Sequence, residues 1–316
     1  MESNTIQNKI TVKQGKNSII ELLRFLFSIW VLYFHDYVPY RNNLFSDGKL
    51  AVEFFFVLSG FYLVRSMKKY DSQPVFKGLW AFIKQRFKAL STVFIIGEIF
   101  VFIYSFAFDF SYNFMFGYLW YIRDLFLAMA FFFILRRVLK KDCLFYCSVA
   151  ALSIFSIFIS GKIPSFAEWP GGALRAFASM PLGMLFAIIP HLPESITNKF
   201  KGFDAVLGFV AAGILTLSII AAPDKTQNMI YILVIVGYPT LLYFANQIHL
   251  SIGFLNWLGT LSFPIYAFQC ILRVIEKLGV ENPTHHFIII TVLVLLYSAT
   301  TTVISKQKTK KKAEIK

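Results

Sequence analysis

Charge is scarce in this sequence: only 15% of its 316 residues are Asp, Glu, Lys or Arg, whereas 57% are hydrophobic. A water-soluble globule of that length needs far more polar surface, so an ordinary soluble domain is excluded, and the mean hydropathy of +0.63 agrees. Cysteine is scarce as well. The three present, Cys143, Cys147 and Cys270, are an odd number without metal-set spacing, and two of them stand four apart, where helix packing accounts for them. No structural disulfide is expected. The five histidines and seventeen carboxylates have no metal-motif spacing, so no metal is expected either. The apolar runs also lack period-two alternation, and they are too long for single strands of a membrane barrel.

What is abundant is aromatic and apolar. The chain has 37 Phe, 15 Tyr and 5 Trp, and its apolar runs approach membrane-spanning length. Spans are expected at 20–38, 48–65, 89–108, 118–135, 143–159, 173–189, 203–220, 228–245, 254–275 and 285–304. This predicts an all-α polytopic membrane protein, a bundle of about ten transmembrane helices. No internal repeat and no soluble module is visible, so 1–316 is expected to be one membrane domain with short tails at 1–19 and 305–316. The polar N-terminal stretch leads into an apolar run without a small-residue cleavage site, so it is expected to be retained.

The formal charge of +14 would point to nucleic acid in a soluble protein, but here the cations cluster between apolar runs, and no nucleic-acid partner is expected. With both termini cytoplasmic, ten spans put 23 of the 31 Lys and Arg on that side. Arg41, Lys49, Lys162, Lys225 and Lys277 fall on the other. Arg123, Arg175 and Arg273 stand near the outer ends of spans. That asymmetry follows the positive-inside rule. Region 160–260 is the least determined, because prolines 164, 170, 181, 190 and 193 interrupt it, and a re-entrant hairpin is an alternative there. The connector 65–88 holds Lys68, Lys69, Trp80, Phe82, Lys84 and Arg86. It is either a helix lying at the cytoplasmic interface or simply topological charge.

Ionisable groups inside hydrocarbon are costly and face a cavity, a partner or the interface. Arg24 and His35 in the first span are eleven residues apart, which leaves them within about 20° on one face and about 16 Å apart along the axis. They can line one pathway without touching. His35 is a candidate general base, with Asp36, Glu53 or Asp124 as groups that support its imidazolium; the alternative is a histidine at the aqueous boundary. Glu53, five residues into an apolar helix, requires a partner, and Arg123, Arg175 and Arg273 are the available cations. Arg123 with Asp124 indicates a polar cavity or an internal ion pair, and Arg123 or Arg273 is also a candidate for stabilising a developing oxyanion. Ser59 and Gly60 suit close helix packing. Trp120 and Tyr121 fit an interfacial aromatic belt. Gln269 and Arg273 share a helix face, whereas His191, His249, His285 and His286 are expected at loops or boundaries.

The combination of Arg24, His35, Gly48 and FFFVLSGF at 54–61 over two consecutive spans resembles acyltransferase family 3, the membrane-bound enzymes that decorate envelope polysaccharides. RFKAL at 86–90, LWYI at 119–122 and LGTLSFPIY at 258–266 extend the resemblance over most of the chain. It implies transfer of an acyl group, acetyl or succinyl, from a cytoplasmic acyl-CoA to a hydroxyl of a cell-surface glycan or lipid-linked saccharide in the bacterial inner membrane. It also implies that His35 is the essential histidine, that Arg24 is its arginine partner in donor handling, and that the basic stretch with Lys84, Arg86 and Lys88 contacts the donor. Membrane lipid and envelope biosynthesis proteins are the further partners it implies. Two departures stand out: Gln269 occupies a place where relatives often have histidine, and WYIRDLF lacks the family's usual acidic spacing. A glycan transporter or exporter without acyl transfer, and an inactive scaffold, are the competing classes.

Overall fold

The computed structural model describes residues 17–35, 48–107, 120–160, 171–189, 203–222, 227–272, 275, 279 and 282–314, and no strand occurs among them. Among the described residues, ten helices occupy the ten expected stretches. They are α1 (Ser18–His35), α2 (Gly48–Lys68), α3 (Val75–Ala107), α4 (Trp120–Val138), α5 (Asp142–Ser160), α6 (Gly171–Phe186) and α7 (Phe203–Ala221). Next, α8 joins Gln227–Ile232 to Tyr238–Gln247 through a π-helical turn at Leu233–Gly237. Then α9 (Gly253–Phe268) ends in a 3-10 turn at Gln269–Ile271, and α10 is Pro283–Glu314. Six of them, α1, α2, α5, α7, α8 and α10, are long and apolar enough to cross a bilayer. Helix α4 carries Arg123, Asp124, Arg136 and Arg137, and α6 and α9 have 16 residues each, which explains their omission from that group.

The outer surface is apolar where a soluble protein would be polar. Ile154, Phe155 and Phe158 on α5, and Leu207, Ile214 and Leu217 on α7, are all exposed. Lipid is the solvent that tolerates such faces, and the chain is a multi-pass all-α membrane protein.

Helix α2 is apolar nearly all round and sits at the centre, with Phe54, Phe56, Val57 and Leu63 buried. It runs antiparallel to α1, because Gly48 at its start packs on Phe34 near the end of α1. It runs parallel to α6, with Lys49 and Glu53 bonded near the start of α6 and Gly60 packed farther along it. Helices α1 and α9 are parallel too: Ser18 bonds Asn256, and Glu21 packs on Gly259. Odd helices sharing one direction and even helices the other is the parity expected when each intervening helix crosses once.

Small residues and one ion pair hold α2 to α6. A Cβ on Gly60 would stand 1.9 Å from the Met180 carbonyl oxygen, and one on Gly183 would stand 1.9 Å from that of Val57. The two backbones therefore touch through reciprocal glycines, the packing device favoured where lipid offers no hydrophobic drive. One turn or more away, Arg175 Nε donates to Glu53 Oε1 at 2.5 Å and Arg175 Nη2 donates to the Lys49 carbonyl at 2.8 Å. The Ser179 hydroxyl donates to Glu53 Oε2. Around this seam Phe27 stacks on Phe54 with centroids 3.9 Å apart, and Tyr238 meets both edge-on while its hydroxyl donates to the Leu50 carbonyl. A smaller core joins α1, α9 and α10 through Leu32, Ile265, Phe268 and Ile290.

Several expectations are corrected. Helix α3 is continuous, so the basic connector and the following span form one rod of 33 residues. At 100° per residue its faces separate: Phe76 and Trp80 are exposed, whereas Phe82 is fully buried on Phe133 and Tyr70 and does not belong to an interfacial face. Arg137 donates to the carbonyls of Tyr70, Asp71 and Gln73, which pins the turn between α2 and α3. His286 is buried rather than exposed, on the helix that packs against α9. Cys143 and Cys147 are exposed on α5, so packing does not account for their spacing.

Leu at Gly60 or Gly183 is expected to prevent assembly of the bundle, seen as loss of the monodisperse peak in detergent chromatography. Ala at Gly213, where a Cβ meets nothing within 4 Å, is expected to leave the melting temperature unchanged or slightly raised. Glu53→Ala is expected to cost about 3 kcal/mol by stranding Arg175, and Glu53→Ala combined with Arg175→Met less than that. Additive losses in the thermal melts of that cycle would show the two residues to be uncoupled.

Candidate functional site

Helices α1, α2, α3, α4 and α9 enclose a cavity of about 280 Å³. Its wall on α2 extends from Val52 through Phe55 and Ser59 to Tyr62, ten residues or about 15 Å of helix. Leu58, Ile122, Leu125, Met129 and Phe263 make most of the surface apolar. That volume is near the lower end for ligand pockets and suits a slender chain rather than a bulky head group.

One end is basic. Arg24 reaches it from α1 and Arg86 from α3. Arg24 Nη1 donates to both Glu21 oxygens, at 2.8 and 3.0 Å, and Gly259 makes room for that carboxylate, since a Cβ there would stand 1.9 Å from Glu21 Oε2. Arg86 donates to the Ser66 hydroxyl and its guanidinium lies 5.6 Å from the Phe82 ring centroid. Arg86 precedes the span expected at 89–108; burial lowers its pKa from the ordinary value and Tyr70 opposes the drop. An arginine starts so high that it stays charged. Farther along, Ser59 of α2 stands beside Tyr121 of α4, and Tyr121 meets Tyr266 edge-on at 5.4 Å. Ser262 stands between, one turn past Gly259 and one turn short of Tyr266 on α9.

The structure brings two of the expected donor-binding residues, Arg24 and Arg86, into this cavity. Lys84 and Lys88 lie exposed on α3 and do not line it. His35 is the last residue of α1, exposed, with its ring edge-on to Phe34 at 5.2 Å. Since Gly48 packs on Phe34, His35 is level with the start of α2, about 6 Å beyond Val52 and outside the cavity wall. Asp36, Arg273 and His191 lie outside the described residues.

The remaining candidates form ion pairs. Glu53 takes Arg175 from among its three possible partners, and the Arg175 guanidinium also stands 5.0 Å from the Trp120 ring centroid. Arg123 Nε donates to Asp124 Oδ1 at 2.7 Å and its Nη2 to Oδ2 at 3.0 Å. Asp124 is fully buried, and Gly172 of α6 sits so close that a Cβ would be 2.2 Å from Oδ2. Gln269 is buried at the end of α9 and does not line the cavity. Among the described residues no three His, Cys, Asp or Glu come together as a metal site.

Sequence reasoning missed Tyr62, Ser262 and Tyr266, and treated Ser59 and Tyr121 as packing and belt residues. The signal was present in part: Ser59 and Ser262 are hydroxyls inside the two most distinctive motifs, FFFVLSGF and LGTLSFPIY.

A family model described as an acyltransferase domain, Acyl_transf_3, matches residues 17–303. No curated protein and no solved structure matches the chain. The family match takes in every residue of the cavity wall and nearly the whole helical bundle, and the chain belongs to acyltransferase family 3.

Proposed function

We propose that this membrane acyltransferase moves an acyl group, acetyl first among the choices, from cytoplasmic acyl-CoA to a hydroxyl of a cell-envelope glycan, with His35 as general base. The observation that carries the reading is the cavity: two arginines at one end, apolar walls, and hydroxyls along its length. An acyl-CoA is built in the same order, with phosphates, then a slender arm, then the thioester. Arg24 and Arg86 supply charge-assisted hydrogen bonds to the phosphates, and the narrow cavity takes the arm.

The acceptor hydroxyl then attacks the thioester carbonyl between Val52 and His35. His35 takes the hydroxyl proton as the new C–O bond forms, and the C–S bond breaks to release CoA. Glu53 and Asp124, each held by an arginine, shape the polar end of the bundle beside this point. In this reading the enzyme lies in the bacterial inner membrane with both termini cytoplasmic, an orientation supported by the bias of the lysines and arginines. The acceptor is a cell-surface glycan or lipid-linked saccharide, presented by the membrane or by envelope biosynthesis proteins.

Purified protein reconstituted with radiolabelled acetyl-CoA and extracted envelope glycans is expected to label the glycan. Arg24→Ala and Arg86→Ala are expected to raise the donor KM with smaller effects on kcat, whereas His35→Ala is expected to lower kcat about 10²- to 10⁴-fold. Wild-type protein that moves glycan across the bilayer without consuming thioester would instead make it a transporter.

A further inference from the structure

Hydroxyls in membrane helices usually return a hydrogen bond to a carbonyl in the preceding turn. Much of this bundle follows that habit; the buried Thr216 of α7, which lies outside the cavity wall, is an exception. Ser28 donates to Phe25, Ser66 to Tyr62, Thr240 to Val236 and Thr260 to Trp257, at 2.6–2.9 Å. Ser262, two residues after Thr260 on the same helix, does not. It is 3% exposed, lines the cavity, and its Oγ has no hydrogen-bond partner among the described residues. The other serine of the wall, Ser59, stands beside the Tyr121 side chain and is not among the buried unmatched hydroxyls. An unmatched buried hydroxyl costs free energy, and a ligand in the cavity would supply the missing partner.

We propose that Ser262 is a donor-positioning residue whose hydroxyl donates to an amide carbonyl of the pantetheine arm. This rests on the acyl-CoA reading above. The assignment to an amide follows from position. Ser262 lies midway between the Glu21–Arg24 pair and the Tyr121–Tyr266 contact, whereas the transfer point is beyond Val52, more than one helical turn farther on. A pantetheine arm has two secondary amides between its phosphate and its sulfur; its one hydroxyl stands toward the phosphate end, and the rest is apolar. One polar contact midway along an apolar wall fits that pattern and fixes how far the arm reaches toward His35.

Binding of CoA, acetyl-CoA and 3′,5′-ADP to the full-length protein in detergent tests this. The first two carry the arm, and the nucleotide does not. Ser262→Ala is expected to weaken CoA and acetyl-CoA alike, about fivefold, to leave 3′,5′-ADP unchanged, and not to lower the melting temperature. Ser262→Thr, which keeps the hydroxyl, is expected to restore the arm-dependent affinity. Unchanged affinities in Ser262→Ala, weakening of acetyl-CoA alone, or a Thr variant no better than Ala would each overturn the assignment. Arg86→Ala is expected to weaken all three ligands. Wild-type protein that binds none of them would remove the donor reading itself, and this inference with it.

Discussion

The organisation of this bundle depends on how charge is kept inside hydrocarbon. Glu53 and Arg175 neutralise each other across α2 and α6, and Ser179 and the Lys49 carbonyl take up further hydrogen-bonding capacity. The pair is permitted only because Gly60 and Gly183 let the two backbones meet a few turns away. Charge pairing and small-residue packing therefore act on the same helix seam, with α2 at the centre. Its opposite face is the longest wall of the cavity.

From that wall the chemistry is graded along the helix axis. Two guanidiniums stand at one end, one tied to Glu21 and the other to Ser66, and an apolar corridor follows with tyrosine and serine hydroxyls. Each polar feature has its own structural support. Gly259 accommodates the carboxylate that holds Arg24, and Arg137 pins the turn that presents α3 and hence Arg86. Such support from outside the cavity is what lets a site in lipid keep side chains in place without water to screen them.

Much of the architecture was legible in advance. Apolar run length located ten helices, because a bilayer demands spans of about 20 residues whose backbone bonds are satisfied within the helix. Arg24 and Arg86 were legible as members of one site through the resemblance to a family, and the need of Glu53 for an arginine followed from the cost of a lone carboxylate in hydrocarbon. The choice of Arg175 over Arg123 and Arg273 was not legible. Nor was the burial of Phe82 and His286, because which side of a helix meets its neighbour depends on crossings between distant segments.

Composition, span length and the distribution of lysine and arginine were enough to determine a multi-pass helical membrane protein. Those properties are summed along the chain and need no knowledge of which helix touches which. Tertiary structure alone decided that Arg24 and Arg86, 62 residues apart, face one cavity, that Lys84 and Lys88 do not, and that Ser262 is left unmatched within it. Those outcomes rest on the rotation and packing of α1, α2, α3 and α9, with Gly48 and Gly259 letting α2 and α9 close on α1, a geometry that no local pattern encodes.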